Sequence, residues 1–187
     1  LSAASDPARQ QAYDWAAGEG RFLDTPAILL ANQTRASQPG IRVYRVFQPA
    51  VESAPLLVEL GWLPLPGDRR MPGVALPSGE VTVSGLLVAP PSAGIATPVA
   101  TPQADGNLLL IGLDHAVLSA ALDMPTLAPR VLKLDPALPL GYTRDLDILP
   151  NTLPPERHLG YAVQWFGLAL AVFITALLLT LRTRRQR

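Results

Sequence analysis

Residues 160–181 read GYAVQWFGLALAVFITALLLTL, a run of 22 residues without a charged side chain. As a helix rising about 1.5 Å per residue, the run reaches roughly 33 Å, enough to cross a hydrocarbon core of about 30 Å with slight tilt. A chain of 187 residues could not cover a helix of this length that is apolar on every side, so the segment reads as a transmembrane helix rather than a buried core helix. Tyr161, Trp165 and Phe166 fall in its first two turns, where aromatic rings favour the boundary between lipid and water. Arg182, Arg184, Arg185 and Arg187 follow its other end, and arginine excess marks the cytoplasmic side. The expected organisation is an extracytoplasmic domain over 1–157, a membrane helix over 158–181 and a cytoplasmic basic tail over 182–187.

Those four arginines belong to a total of 15 Lys plus Arg that balances 15 Asp plus Glu, which leaves eleven positive and fifteen negative residues ahead of them. A neutral chain with an acidic body lacks the basic footprint that nucleic acid requires. The absence of cysteine excludes disulfides, thiolate chemistry and the usual structural zinc sites. Arginine outnumbers lysine 14 to 1, which points to a GC-rich bacterial gene. The membrane is therefore read as a bacterial inner membrane, with the body in the periplasm and the C-terminus in the cytoplasm. A domain placed ahead of a transmembrane helix needs an export element, and the opening LSAASDPARQQ has no apolar run or basic flank to serve as one. A second transmembrane helix or a cleaved signal is expected before Leu1.

Working back from the helix, short apolar runs separated by proline and glycine indicate a mainly β (α+β) domain of short antiparallel strands. Candidate strands are 27–32, 41–47, 56–62, 81–88, 108–112 and 130–134. In the second, Arg42 and Arg45 interleave with Ile41, Val43, Tyr44, Val46 and Phe47. Its adjacent apolar pairs suggest a bulge or burial on both faces. One short helix is expected at 114–122, capped by Asp114 and ended by Met124-Pro125. Residues 7–17 fit a helix or a strand. Two stretches read as loops: 64–78, with Arg69 and Arg70, and 89–106, proline-rich and mobile or polyproline-like.

The signatures of the common hydrolases, nucleotidases and dehydrogenases are missing, so no enzymatic activity is read. Met71 and Met124, far apart, are a poor donor set for a copper chaperone. The chain has two histidines. His115 follows Asp114 and reads as a solvated first-turn residue. His158 lies at the start of the apolar helix, and at 100° per residue Tyr161, Ala162, Trp165, Ala169, Val172 and Ala176 fall within about 60° of it. One face thus combines a ligand-capable imidazole, two aromatic rings and small residues that admit another transmembrane helix. The plain alternative is that Tyr161 and Trp165 are interface anchors and His158 ends the loop. Asn32-Gln33-Thr34 fits a glycosylation sequon, a pattern common by chance. Arg69-Arg70 reads as a solvated loop, with a partner contact or a haem propionate clamp as the alternative.

The string HLGYAVQWFGLA at 158–169 resembles the signature that opens the second transmembrane helix of the Surfeit-locus-one family, assembly factors of cytochrome c oxidase. LLANQTRASQPGIRVYRVFQP (29–49) resembles that family's Asn-containing strand, its Pro-Gly turn and the following strand. LLVELGWLPLP (56–66) resembles its Gly-Trp strand, and EVTVSGLL its next strand. The family usually has Arg before Gly-Trp, whereas here that place holds Leu60, so no role of that arginine carries over. The resemblance implies two membrane helices around a mostly β domain, and favours a strand for the first segment. It also implies help in building the oxidase's catalytic subunit, with haem a ligated through the signature histidine, here His158, and packed by Tyr161 and Trp165. The implied partners are a haem-copper oxidase catalytic subunit and haem a synthase. A structural scaffold or accessory subunit without haem is the alternative.

Overall fold

The computed structural model describes residues 1–67, 71–91, 97–147 and 155–185. The chain divides into two compact units, Leu1–Pro150 and Asn151–Arg187. Among its described residues the first unit holds eight strands: β1 (Asp14–Phe22), β2 (Ile28–Arg35), β3 (Gln38–Pro49), β4 (Leu56–Pro64), β5 (Val81–Val88), β6 (Thr101–Pro102), β7 (Leu108–Leu110) and β8 (Val131–Leu134). They form one sheet in the order β1-β5-β8-β4-β3-β2-β7-β6, and a further pairing of β1 with β3 closes the first five strands into a barrel. The mainly β class is thus correct. Two ladders, β2–β7 and β4–β8, are nevertheless parallel, because each joins strands whose connection is long enough to cross over.

β3 organises the unit because it is buried on both faces. Ile41, Val43 and Phe47 enter the barrel interior with Phe22, Leu56, Val58, Leu60, Val83, Leu87 and Leu132. Tyr44 and Val46 face outward into a second cluster with Ile28, Leu57, Leu113, Leu118 and Val131. Each such fully buried side chain contributes about 1.5–3 kcal/mol relative to an exposed one. The adjacent apolar pairs therefore reflect two-sided burial on an unbroken period of two. The bulge is across the ladder: Val43 pairs with Gly61 and Tyr44 with Glu59, leaving Leu60 of β4 as the extra residue. At the seam, Phe22 and Phe47 meet edge to face with ring centroids 5.2 Å apart.

α1 (His115–Ala121) forms where expected, and Asp114 Oδ1 accepts a 3.0 Å hydrogen bond from the Val117 amide as its cap. The first segment is a strand from Asp14 onward, as the family resemblance implies, preceded by 3-10 turns at Ser2–Ser5 and Pro7–Arg9. Several other expectations are corrected. The hairpin between β2 and β3 turns at Ala36 and Ser37, with φ of 48° and 65°, whereas Pro39 and Gly40 lie inside β3. Gly40 is there because the Trp62 indole occupies the space a side chain would need. The loop read as mobile contains β6, which pairs with β7. His115 is half-buried rather than solvated, its Nε2 lying 2.6 Å from the Leu127 carbonyl oxygen. Arg69, Arg70 and residues 92–96 of the second loop lie outside the described residues.

The second unit is one helix, α2 (Pro155–Arg185). Within its stretch His158–Arg184 an 18-residue window has a mean hydropathy of 2.2, and none of that window is buried. Thr175, Thr180 and Thr183 donate their hydroxyls to the carbonyls four residues back, which satisfies them inside an apolar helix.

Candidate functional site

Because α2 is continuous, His158, Tyr161 and Trp165 stand at positions i, i+3 and i+7 of one helix and share a stripe. All three are exposed, Tyr161 by 51% and Trp165 by 68%. No protein group among the described residues hydrogen-bonds the His158 imidazole. Ala162, Ala169 and Ala176 continue the same stripe toward the other end of the helix. The structure therefore brings together on one helix the residues that helical periodicity singled out, and His115 belongs to the barrel unit.

The barrel unit carries a second polar constellation that the sequence reading did not single out. In register across three strands stand Tyr44 of β3, Glu59 of β4 and Lys133 of β8. Glu59, 5% exposed, accepts from Tyr44 Oη at 3.2 Å and from Arg42 Nη1 at 3.0 Å. Burial and the adjacent Glu59 charge push the Tyr44 hydroxyl well above its ordinary range. Burial alone would lower Arg42, but Glu59, Tyr44 and Asp145 together hold it above its usual value. Burial pushes the Lys133 ammonium down, against the pull of Glu59, and its Nζ donates to the Asp147 carbonyl. The signal for this row was present: the chain's one lysine sits between Leu132 and Leu134, and Glu59 interrupts an apolar strand.

Beside this row, Gly61 has φ of +125°, a conformation that L side chains rarely adopt. A Cβ there would lie 2.8 Å from the carbonyl oxygens of Tyr142 and Thr143. The Gly-Trp pair is thus a backbone seat: the Tyr142 amide donates to Leu60 O and the Trp62 amide to Thr143 O, both at 2.7 Å. Leu60, where an arginine was noted as usual, is 1% exposed and fills the barrel interior.

The SURF1 family model matches residues 1–170, a span that includes the barrel, the Gly-Trp seat and the aromatic start of α2. The chain belongs to the SURF1 family. That family is one of cytochrome oxidase assembly factors. No curated protein matches this chain.

In this SURF1 family member, the α2 stripe is the place to test against haem. Seven residues separate His158 from Trp165, about 10 Å along the helix axis. One imidazole and two rings over that length fit one face of a porphyrin, with a single nitrogen ligand for its iron. The exposure of all three fits a one-sided platform rather than an enclosed pocket. Among the described residues no group of three or more His, Asp or Glu side chains could hold a metal ion.

Proposed function

We propose that this SURF1 family member is an assembly factor of a haem-copper oxidase, anchored in a bacterial inner membrane with its barrel in the periplasm. It holds haem a through His158 and the rings of Tyr161 and Trp165, and presents it to the immature catalytic subunit. Haem a synthase is the corresponding source. Family membership supports the assembly role, and the single observation that carries the haem reading is the exposed imidazole sharing a helix stripe with two exposed aromatic rings. When bound, the haem supplies the iron that a neutral imidazole ligates. His158 would hold the iron, and the rings of Tyr161 and Trp165 would pack against the macrocycle.

The test is haem a titration of the detergent-purified full-length protein, followed by absorbance. His158→Ala should lower occupancy without abolishing it, because the rings remain, and should leave membrane insertion intact. His115→Gln is the control, since glutamine keeps a donor for the Leu127 carbonyl. Full occupancy and oxidase yield in His158→Ala would replace this reading with the scaffold one. That second reading is favoured by Ala162, Ala169 and Ala176 on the same stripe, which suit a closely packed partner helix. On it, Ala169→Leu or Ala176→Leu weakens co-purification of the oxidase subunit more than Leu170→Ala or Leu177→Ala, whatever happens to haem.

A further inference from the structure

Residues 142–147 precede the membrane unit and lie along the free edge of β4 beyond the end of β8, but they are held unlike any barrel strand. Their backbone makes two ladder bonds, Tyr142 N to Leu60 O and Trp62 N to Thr143 O. Tyr142 alone among them packs against an apolar cluster, and the Ala75 amide donates to its hydroxyl at 3.2 Å. Leu146 is half-buried, and the remaining side-chain contacts are polar: Arg35 pairs with Asp145, Lys133 Nζ binds the Asp147 carbonyl, and Arg144 donates to the carbonyls of Asp135, Leu138 and Tyr142. Lifting this segment would uncover two half-buried side chains, Tyr142 and Leu146, but no fully buried one, and Glu59 would keep both its donors, Arg42 and Tyr44. Elements with few buried apolar contacts occupy the low-stability end of a fold and open without global unfolding.

We infer that residues 142–147 form a releasable strap, seated on the Gly61 bulge and the Arg35–Lys133 charges, that opens as a unit while the barrel stays closed. Gly61 is the latch, since any side chain there pushes on the strap's own carbonyls.

The test is hydrogen exchange with mass spectrometry on the full-length protein in nanodiscs. The Trp62 and Tyr142 amides should exchange together, and faster than the β3–β4 amides. Gly61→Ala should speed both by about tenfold, the scale set by forcing a side chain into positive φ, without changing β1–β5 protection. If Gly61→Ala fails to fold, Asp145→Asn serves in its place, with a smaller acceleration confined to the same two amides. Exchange of Trp62 and Tyr142 no faster than the β3–β4 ladder, or loosening of barrel and strap alike in whichever variant folds, would overturn the inference.

Discussion

Arg130 is 0% exposed, and replacing it should cost this protein much of its stability. Its Nη1 donates to Asp14 Oδ2 at 2.7 Å and to the Ala3 carbonyl at 3.2 Å, and its Nη2 to the carbonyls of Ala12 and Leu87 at 2.6 and 2.9 Å. One guanidinium thus joins the first strand, the turns ahead of it and β5, with Leu1 packed over Gly18 as the neighbouring contact. Arg130→Met keeps the bulk and removes every donor. A buried acceptor left unsatisfied costs about 1–3 kcal/mol. Ala3 and Ala12 can escape that cost by swinging into water, whereas Leu87 lies in an interior strand and cannot. Asp14 keeps Arg9 as a partner, which softens the loss. The expected destabilisation is about 3–5 kcal/mol, the scale for removing one member of a buried charge pair. Urea unfolding of the micelle-solubilised protein, followed by tryptophan fluorescence, measures it, and trypsin should cut after Arg9 sooner. Arg130→Lys retains the charge but not the fork, and should still lose more than about 1 kcal/mol. A loss under about 1 kcal/mol in Arg130→Met, with Arg9 still protected, would refute the idea that this side chain staples the first segment to the barrel.

The hairpin at Ala36 and Ser37 places both residues at positive φ, so Ala36→Asn with Ser37→Gly should stabilise the protein by about 1–2 kcal/mol, seen as a raised Tm by calorimetry. Burial alone would raise Asp145, but the hydrogen bond from Arg35, the Asp147 amide and the charges of Arg35 and Lys133 hold its carboxyl below the usual range. Its contribution is therefore complete above the unfolded value of about 3.9 and fades as pH falls through the native one. The difference in urea midpoint between wild type and Asp145→Asn should be constant near neutrality and close in acid. In a chain without cysteine, Val99→Cys should react with an impermeant thiol reagent in intact spheroplasts and Arg184→Cys should not; the reverse pattern would invert the proposed orientation.

The parts legible in the sequence are those set by one element's own periodicity or chemistry. The stretch VTVSGLLV is β5 to the residue, Asp114 caps α1, and the shared stripe of His158, Tyr161 and Trp165 follows from 100° per residue once the apolar run is a helix. What escaped depends on which strand lies beside which. A parallel neighbour for β4 leaves no mark on β4's composition. Ala36 and Ser37 carry no turn signal, because the register of β2 on β3 forces their conformation. Arg130 looks like an ordinary surface charge until Asp14, distant in sequence, arrives beside it.

The two-faced burial of β3 also governs how its substitutions combine. Val43 and Tyr44 are covalent neighbours, yet Val43 belongs to the cluster inside the barrel with Leu60, and Tyr44 to the one outside with Leu57 and Val131. Side chains in separate clusters couple less than those that share partners, so truncating both should come nearer to the sum of the single losses than truncating two residues of one cluster does. Val43 and Phe47, four residues apart, face one crowded interior and should depart from additivity. Compensating changes for a defect at Val43 are therefore to be sought among the other residues of the barrel interior, and not at the adjoining positions of its own strand.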